Sequence, residues 1–357
     1  MIFSRSLVAI DIGSSAVKLL EVAGPQHSRI KSIGAEKLPS GAVHDGLIQD
    51  PPVVRAALKR LIRRLGISTF ARRVSLSLSG SSVMIKKIVV LRKDDSTLEE
   101  QVFFEAEQQF QHNLADLYYN HYVMTPNPDE HTQVAVVLAA AKRELVEQYV
   151  TLIRSTGLRT GVIDCAVFAA TNMFEFNYGL AKGFIALVNV GANLTLVSLF
   201  NNGEYLYTRE VATGGEEYSR KIMGVTGMSR DEAESLKIAL SLGASKMDET
   251  LQPAFAEASD TLVCEIQTTI DYYLQTGEAP PQLQSIDHIF LTGGGAYSLG
   301  LDAAIAASLQ RPVHIVNPFK RFDIGTKPDQ VRYVAAHGHM FSVALGLALR
   351  KMYDEVA

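Results

Sequence analysis

The amino-acid sequence predicts an α/β protein of two similar halves that face each other across a cleft, with an additional module inserted into the first half. A three-stranded meander near the N-terminus is repeated 178 positions later with the same turn pattern. A mixed run of helices and strands separates the two copies. With 357 residues, 47% of them hydrophobic, the chain is long enough for two cores. Because each half alone leaves an apolar face uncovered, we expect the halves to pack together.

Apolar alternation between small-residue turns defines both meanders. In the first copy we expect strands over 7–11, 16–22 and 30–38, with turns at 13–15 and 24–26. In the second copy we expect strands over 184–189, 194–200 and 204–211, with turns at 191–193 and 202–203. Asp11 and Gly13 of the first turn correspond to Asn189 and Gly191 of the second. Unrelated meanders would not share this turn chemistry, so we interpret the pair as a duplication.

The segment between the copies has a different pattern. After a turn-rich stretch, a helix from 51 onward places six apolar residues on one face: Val54, Ala57, Leu58, Leu61, Ile62 and Leu65. Strands over 74–78 and 83–91 follow, then a capping box at 96–99 that opens a helix to 110, and a strand over 133–140. We assign all of 37–141 to the inserted module.

The remaining segments complete the two halves. We predict a helix over 143–155, a strand over 160–164 and a helix to 177. The second half then has helices opened by 214–215 and by a capping box at 229–232, a long helix to 276, a strand and triple-glycine turn around 293–295, and a strand over 313–316. A closing helix over 343–353 returns to the first half. The first domain is therefore 1–36 and 142–182, completed by 331–357, and the second is 183–330.

Charge and cysteine content exclude several classes of protein. The net charge of -4 gives no electrostatic footprint of a general nucleic-acid binder, so we expect no nucleic-acid partner. A local basic patch remains, which we interpret as a solvated helix face with a binding site as the alternative: Lys59, Arg60, Arg63, Arg64, Arg72 and Arg73. The two cysteines lack metal-ligand spacing, which favours a reducing cytoplasm. No apolar stretch is long enough for a membrane span or a signal peptide.

An ordered set of small-residue turns carries the functional signal. The set is Asp11-Ile12-Gly13-Ser14-Ser15, Asn189-Val190-Gly191-Ala192-Asn193, Gly214-Gly215, Glu234 with Lys237, and Gly293-Gly294-Gly295. This order resembles the actin-like ATPase superfamily, which includes actin, the Hsp-type chaperones, sugar kinases and the division protein FtsA. The resemblance implies ribonuclease H-like duplicated domains around an ATP cleft, with an FtsA-type 1C subdomain as the inserted module. It also implies that Glu234 and Lys237 reach the ribose and adenine.

The residue types suit phosphate binding. Glycine and serine in a tight turn expose backbone N–H groups to phosphate oxygens, and the hydroxyls of Ser14 and Ser15 add donors. Lys18 is placed to reach a β- or γ-phosphate, as the matching lysine does in the superfamily; an exposed strand lysine is the alternative. Asp11 is expected to hold Mg²⁺ through water, with a structural turn cap as the alternative. The three glycines at 293–295 would let the backbone pass beside adenine.

Two positions weaken the prospect of catalysis. Asn189 stands where the superfamily often has an aspartate, and it brings no negative charge for a metal ion. Asp164 lies in the region of the superfamily's polar catalytic group, although a helix N-cap accounts for it equally well. We therefore expect ATP binding, with hydrolysis slow or absent.

Over essentially the whole chain the sequence is similar to the PilM family of type IV pilus assembly. The resemblance lies in "GAVHDGLIQDPPVV", the inserted module, "LTGGGAYSLGL", "RPVHIVNPF" and "SVALGLALRKM". It implies an ATP-binding component at the cytoplasmic face of the bacterial inner membrane that binds the N-terminal cytoplasmic tail of PilN, membrane association being indirect through PilN. Pilus motor ATPases and the platform protein are possible further partners. FtsA continues past its final helix into an amphipathic anchor, whereas this sequence ends at Ala357.

Alternatives of other classes stay open from sequence. They are an FtsA-like filament-forming protein, the PilM-like component of a type II secretion system, and a metabolic kinase or phosphatase. The last would need a polar pocket with a general base, and the module offers alternating Val/Leu strands instead. Under the PilM hypothesis, ATP in the cleft fixes the angle between the halves and relays motor state.

Overall fold

A computed structural model describes residues 6–23, 28–70, 72–91, 98–110, 113–124, 133–276 and 279–350. Within this part, the strands are β1 (Leu7–Ile12), β2 (Ala16–Ala23), β3 (Arg29–Lys37), β4 (Val43–His44), β5 (Leu47–Ile48), β6 (Arg73–Leu78), β7 (Val83–Leu91), β8 (Leu117–Val123), β9 (Gln133–Lys142), β10 (Arg159–Cys165), β11 (Phe184–Val190), β12 (Thr195–Asn201), β13 (Glu204–Val211), β14 (His288–Thr292) and β15 (Val313–Ile315). The helices are α1 (Pro51–Arg64), α2 (Leu98–Phe110), α3 (Arg143–Arg154), α4 (Ala166–Tyr178), α5 (Glu216–Thr226), α6 (Arg230–Ser241), α7 (Gln252–Gln275), α8 (Leu301–Leu309), α9 (Pro328–His337) and α10 (Ser342–Ala348).

Two five-stranded sheets share one strand order. The first runs β10-β6-β1-β2-β3 and the second β15-β14-β11-β12-β13. In each, an antiparallel meander is extended by two parallel strands: β6 pairs with β1 as β14 pairs with β11. The predicted duplication is thus confirmed and extends beyond the meander itself. The predicted turn at 24–26 lies outside the described residues.

The inserted module is smaller than predicted. β6 lies inside the first sheet, and α1 packs on β2 and β3 of that sheet, so neither belongs to a separate unit. The separate sheet is the three-stranded β7-β9-β8. This sheet and α2 form one apolar core. The assignment of 37–141 to the module was wrong at its start because apolar alternation marks a strand without saying which sheet it joins. Residues 96–97 of the capping box lie outside the described residues, as does the closing helix from 351 onward.

The halves meet around α4 and α10. A single apolar core joins both helices to residues of the two sheets, including Leu20 from β2 and Leu187 from β11. Gly346 in α10 approaches α4 so closely that a Cβ there would lie 1.6 Å from the Ala169 carbonyl oxygen. Helix α10 thus packs on α4 and on β1, β2 and β6 of the first sheet. In the described ranges, no helix combines the length and apolar character that crossing a membrane requires.

Candidate functional site

The first glycine turn joins β1 to β2 and carries a charge pair. The N–H of Gly13 donates to the Ala16 carbonyl oxygen at 3.0 Å, which closes the hairpin. Asp11 and Lys18 are register partners, and Lys18 Nζ lies 2.8 Å from Asp11 Oδ2. The Lys18 side chain is only 14% exposed, so the exposed-lysine alternative was wrong. Instead, the ammonium lies over the turn, 3.2 Å from where a Cβ on Gly13 would stand.

The hydroxyls of the first turn are available to a ligand. Among the described residues, neither Ser14 nor Ser15 has a side-chain hydrogen bond, and both are half-buried. Asp11 is buried, and besides Lys18 it is reached by the Ser77 hydroxyl at 3.4 Å from Oδ1. The turn thus presents free hydroxyl donors beside a lysine whose present partner is a carboxylate.

Three glycine segments of the second half converge. The Gly215 N–H donates to the Gly191 carbonyl oxygen at 2.9 Å. A Cβ on Gly214 would lie 2.6 Å from the carbonyl oxygens of both Gly191 and Ala192, and a Cβ on Gly295 would lie 2.9 Å from the Gly191 oxygen. Only glycine permits this approach of backbone to backbone. The structure therefore brings the predicted segments 191–193, 214–215 and 293–295 together.

Glu234 and Lys237 reach the same place. Lys237 is buried, and its Nζ donates to the Gly215 carbonyl oxygen at 3.0 Å and to Glu234 Oε2 at 2.6 Å. Burial opposes ionisation of Glu234, but the Lys237 charge and hydrogen bonds from Lys237 and Ser219 lower the pKa of this carboxyl. The i,i+3 spacing alone would also suit a plain surface ion pair. Lys237 is buried, however, and its bond to Gly215 holds α6 on the glycine turn.

Asn189 and the triple glycine meet at the ends of β11 and β14. Asn189 is the register partner of Thr292, and a Cβ on Gly293 would lie 2.4 Å from Asn189 Oδ1. The turn continues to Tyr297, whose ring lies 4.5 Å between centroids from that of His339. Burial lowers the pKa of His339 to about 4. A neutral histidine thus packs against the segment predicted to line adenine.

A cavity of about 560 Å³ lies between part of the second half and the chain that follows β3 and β6; Glu234, Lys237 and 293–295 do not line it. One wall includes Ala192, Asn193 and Gly214; the other is made by His44, Asp45 and Ser81. The Asn193 Oδ1 atom is buried without a hydrogen-bond partner among the described residues. Residues 13–15 do not line this cavity. That both glycine turns bind the phosphates of one nucleotide therefore stays a prediction.

Sequence reasoning missed the first-half wall and Glu210. Glu210 lines the cavity from β13; burial raises the pKa of its carboxyl, the backbone of Gly80 lowers it, and Asp45 raises it further. Gly80 and the Asp45 hairpin are in close contact, since a Cβ on Gly80 would lie 2.0 Å from the Asp45 oxygen. No local motif marks these residues, although His44 and Asp45 lie within the "GAVHDG" stretch that resembles PilM.

Asp164 is held by the end of the chain. Arg350 Nε donates to Asp164 Oδ2 at 2.6 Å, and Oδ1 accepts the Cys165 N–H at 2.8 Å. The helix N-cap is Cys165, without a side-chain cap bond, so the N-cap account of Asp164 was wrong. Its role in activating water stays a prediction, for both oxygens are bonded to protein donors here. In the part of the chain that the structure describes, both cysteines are free and no cluster of metal-binding side chains occurs.

Two duplicated halves with one strand order, meeting around converging glycine turns, define an actin-like ATPase fold. Solved structures agree: ethanolamine utilization protein EutJ from Carboxydothermus hydrogenoformans is similar with a TM-score of 0.57 and 15% identity, over 97% of this chain and 89% of that one. MreB 5 of Spiroplasma citri, bound to AMPPNP, is similar with a TM-score of 0.52 and 13% identity, over 96% and 94%.

The family model of type IV pilus assembly protein PilM matches residues 9–352, and the chain belongs to this family. A solved structure of the PilM-PilN type IV pilus biogenesis complex is similar over 97% of this chain and 98% of that one, with a TM-score of 0.82 and 24% identity.

Proposed function

We propose that this protein is the ATP-binding component of a type IV pilus assembly platform, located at the cytoplasmic face of the inner membrane and bound to the N-terminal cytoplasmic tail of PilN. The family match over residues 9–352 carries the proposal. It favours this function over an FtsA-like filament or a type II secretion component. The similar PilM-PilN complex supports the choice of partner.

The site residues fit a nucleotide. Gly214, Gly293 and Gly295 leave backbone exposed where any side chain would collide with a neighbouring segment. Gly214 and Asn193 line the cavity between the halves, and the buried Asn193 Oδ1 has no hydrogen-bond partner among the described residues. Lys237 and Glu234 would bind the ribose and adenine, with Gly293, Gly294 and Gly295 beside the base. Ser14, Ser15 and Ala192 would donate to phosphate oxygens. Gly191 and Gly215 would shape the turn beside them, since their N–H groups are bonded to the carbonyl oxygens of Leu194 and Gly191. When bound, ATP supplies a triphosphate whose charge differs from that of ADP.

Lys18 and Asp11 would exchange partners when a nucleotide binds. The ammonium is 2.8 Å from Asp11 and lies over the first turn, so a phosphate in that turn would compete for it. Asp11, released from Lys18, would then face the cation through water. Asn189 adds no charge at the second turn, and Asp164 is bonded to Arg350. Hydrolysis is therefore proposed to be slow, with nucleotide binding as the working state.

The two halves would relay nucleotide state to the partner. The hypothesis rests on the glycine segments being packed against the connection between the halves: the Thr292 and Ser342 hydroxyls are 2.6 Å apart, which links the base-side turn to α10. A nucleotide that fixes this connection would change the surfaces that PilN, motor ATPases or the platform protein contact.

A titration of a labelled PilN-tail peptide, with and without ATP and Mg²⁺, tests the relay. Different affinities are expected; equal ones would reject the coupling, because only a differential interaction shifts a conformation. A thermal-shift titration with ATP tests the site itself, since a ligand of the folded form raises stability. No shift at millimolar ATP would reject nucleotide binding.

A further inference from the structure

One edge of the first half gathers arginines. Strands β1, β6 and β10 are parallel, so they begin at the same edge of the sheet, where helices α1 and α3 end. We call the residues collected there the arginine edge: Arg63, Arg64, Arg72, Arg73, Arg154 and Arg159. All of them are exposed except the half-buried Arg72. The basic patch that we interpreted from sequence as a solvated helix face thus extends across two helix ends and two strand starts.

Three members of the arginine edge are direct neighbours in space. Arg73 and Arg159 are register partners on adjacent strands. The Arg159 N–H donates to the Arg72 carbonyl oxygen at 2.9 Å. Like charges placed opposite each other on adjacent strands destabilise a sheet, so this pairing is not explained by stability.

Among the described residues, acidic side chains pair with only two members of the arginine edge. Arg64 is paired with Glu36 and Arg72 with Glu21. Across the described ranges, the other members have no hydrogen bond or ion pair from their side chains. The sequence contains no Asp or Glu from position 51 to position 93. Four guanidinium groups are therefore left to solvent or to an external anion.

An isolated aromatic ring stands beside these charges. Phe70 lies in the loop from α1 to β6 and is 92% exposed, more than any other large apolar residue of the described chain. The loop carrying it packs on the one before β10, since a Cβ on Gly157 would lie 3.4 Å from the Thr69 side chain. Phe70 thus projects from the same edge as the arginines.

We propose that the arginine edge and Phe70 bind the surface of an anionic lipid bilayer. Guanidinium groups would contact lipid phosphates, and the Phe70 ring would enter the interfacial layer, where an apolar ring flanked by cations is stabilised. Lipid is favoured over an acidic protein because a protein interface has a contiguous apolar core, whereas Phe70 stands alone among charges.

The surface would act as a second attachment besides the PilN tail. One weak membrane signal gives only marginal binding, and two together give stable anchoring. The first half would then face the bilayer with the starts of β6 and β10. This contact requires neither nucleotide nor PilN, so it stands apart from the proposed function.

Sedimentation of the full-length protein with vesicles tests the proposal. Binding is expected to vesicles of phosphatidylcholine with about a third phosphatidylglycerol, to fall when salt is raised from about 0.1 M to about 0.5 M, and to be weak on phosphatidylcholine alone. Arg73→Glu with Arg159→Glu should lower the partition coefficient at least about tenfold. The control is Lys246→Glu with Arg311→Glu, which changes the net charge equally at two exposed positions of the second half.

Phe70→Ser tests the ring independently of charge. A loss of about fivefold in partition is expected, and none for Leu242→Ser, an exposed leucine of the second half. Thermal melts and the affinity for the PilN-tail peptide should stay as in the parent protein for every variant. If Arg73→Glu with Arg159→Glu lowers the melting temperature, it is replaced by Arg63→Glu with Arg154→Glu, which alters the ends of the two helices instead of the strands.

Three results would overturn the assignment. They are equal partition onto neutral and anionic vesicles, equal losses in the arginine variant and its charge control, and capture by soluble polyglutamate with no capture by anionic vesicles. The last would assign the edge to an acidic protein surface.

Discussion

The two glycine turns have the same backbone and different chemistry. Gly13 donates to Ala16 at 3.0 Å, and Gly191 donates to Leu194 at 2.9 Å, each 178 positions from its counterpart. The register partner of Asp11 is Lys18, whereas that of Asn189 is Leu196. The second copy thus has the same hairpin without the charge pair.

The surroundings of the turns differ as well. The second turn is packed against two further glycine segments, while the contacts of Gly13 are with Lys18 and Ala16 of its own hairpin. Packing at the second turn leaves no room for a methyl group; at the first, a flexible lysine is the near neighbour. The comparison indicates that the second half supplies a closely packed backbone surface, which we call the fixed shape. The first half supplies a lysine and an aspartate that can change partners, which we call the movable charge.

The largest effect is expected from filling the fixed shape. Gly214→Ala places a methyl group 2.6 Å from two carbonyl oxygens, so the segments must separate. We expect nucleotide affinity to fall by about a hundredfold or more, and stability by about 1 to 3 kcal/mol. Titration with a fluorescent ATP analogue measures the first and urea unfolding the second. Gly224→Ala in α5 is the control, because nothing lies within 4 Å of its Cβ position. Unchanged affinity in Gly214→Ala would remove this wall from the nucleotide site.

Transferring the second turn's chemistry to the first tests the movable charge. Lys18→Leu alone leaves the buried Asp11 carboxylate without its cation, which should cost about 1 to 3 kcal/mol of unfolding free energy. Adding Asp11→Asn, as at position 189, should recover most of that stability. We expect nucleotide affinity to fall about tenfold or more in both variants, since neither offers a lysine to phosphate. If the double variant binds ATP as the parent does, the first turn has no part in the site.

Local signals predicted most of the fold. The meander strands of both halves and the capping box of α6 follow from alternation, turn residues and a Ser–Glu spacing that are all adjacent in sequence. The membership of β6 in the first sheet was missed because parallel pairing joins strands that are distant along the chain. β6 begins at Arg73 and pairs with β1, which begins at Leu7.

In the candidate site, too, residues marked by a local motif were predicted and residues brought together by distant contacts were missed. Glycine segments were found from sequence because their function requires a missing side chain, which the sequence shows directly. The partner of Asp164 was missed because Arg350 lies 186 positions away. The wall made by His44, Asp45 and Ser81 has no motif, and only the packing of the β4–β5 hairpin on the loop after β6 brings it to the cavity.

The unfolding free energy should depend on pH through His339, which packs on the turn that follows the triple glycine. His339, packed on Tyr297, has its pKa lowered by burial, and by His337, from 6.5 to about 4. Between these values the unfolded chain binds a proton that the folded chain does not, so the unfolding free energy falls as pH decreases. At pH 5 the expected loss is about 2 kcal/mol relative to pH 7. Urea unfolding at several pH values should show a smaller decrease for His339→Gln. His121→Gln in β8, remote from this turn, should behave as the parent; parallel curves for all three would exclude His339 as the cause.

The smallest effect is expected from returning a carboxylate to the second turn. Asn189→Asp keeps the size of the side chain and adds the charge that the first turn has at Asp11. The quantity to compare is the ratio of ATP affinity in Mg²⁺ to ATP affinity in EDTA. If the absent charge limits cation binding at this turn, this ratio should be about threefold larger for the variant than for the parent. Without Mg²⁺ the same carboxylate should repel phosphate and weaken binding. Asn201→Asp, at the far end of β12, is the control. Equal Mg²⁺ dependence of ATP binding in both variants would show that the missing charge at position 189 does not limit binding of the metal ion.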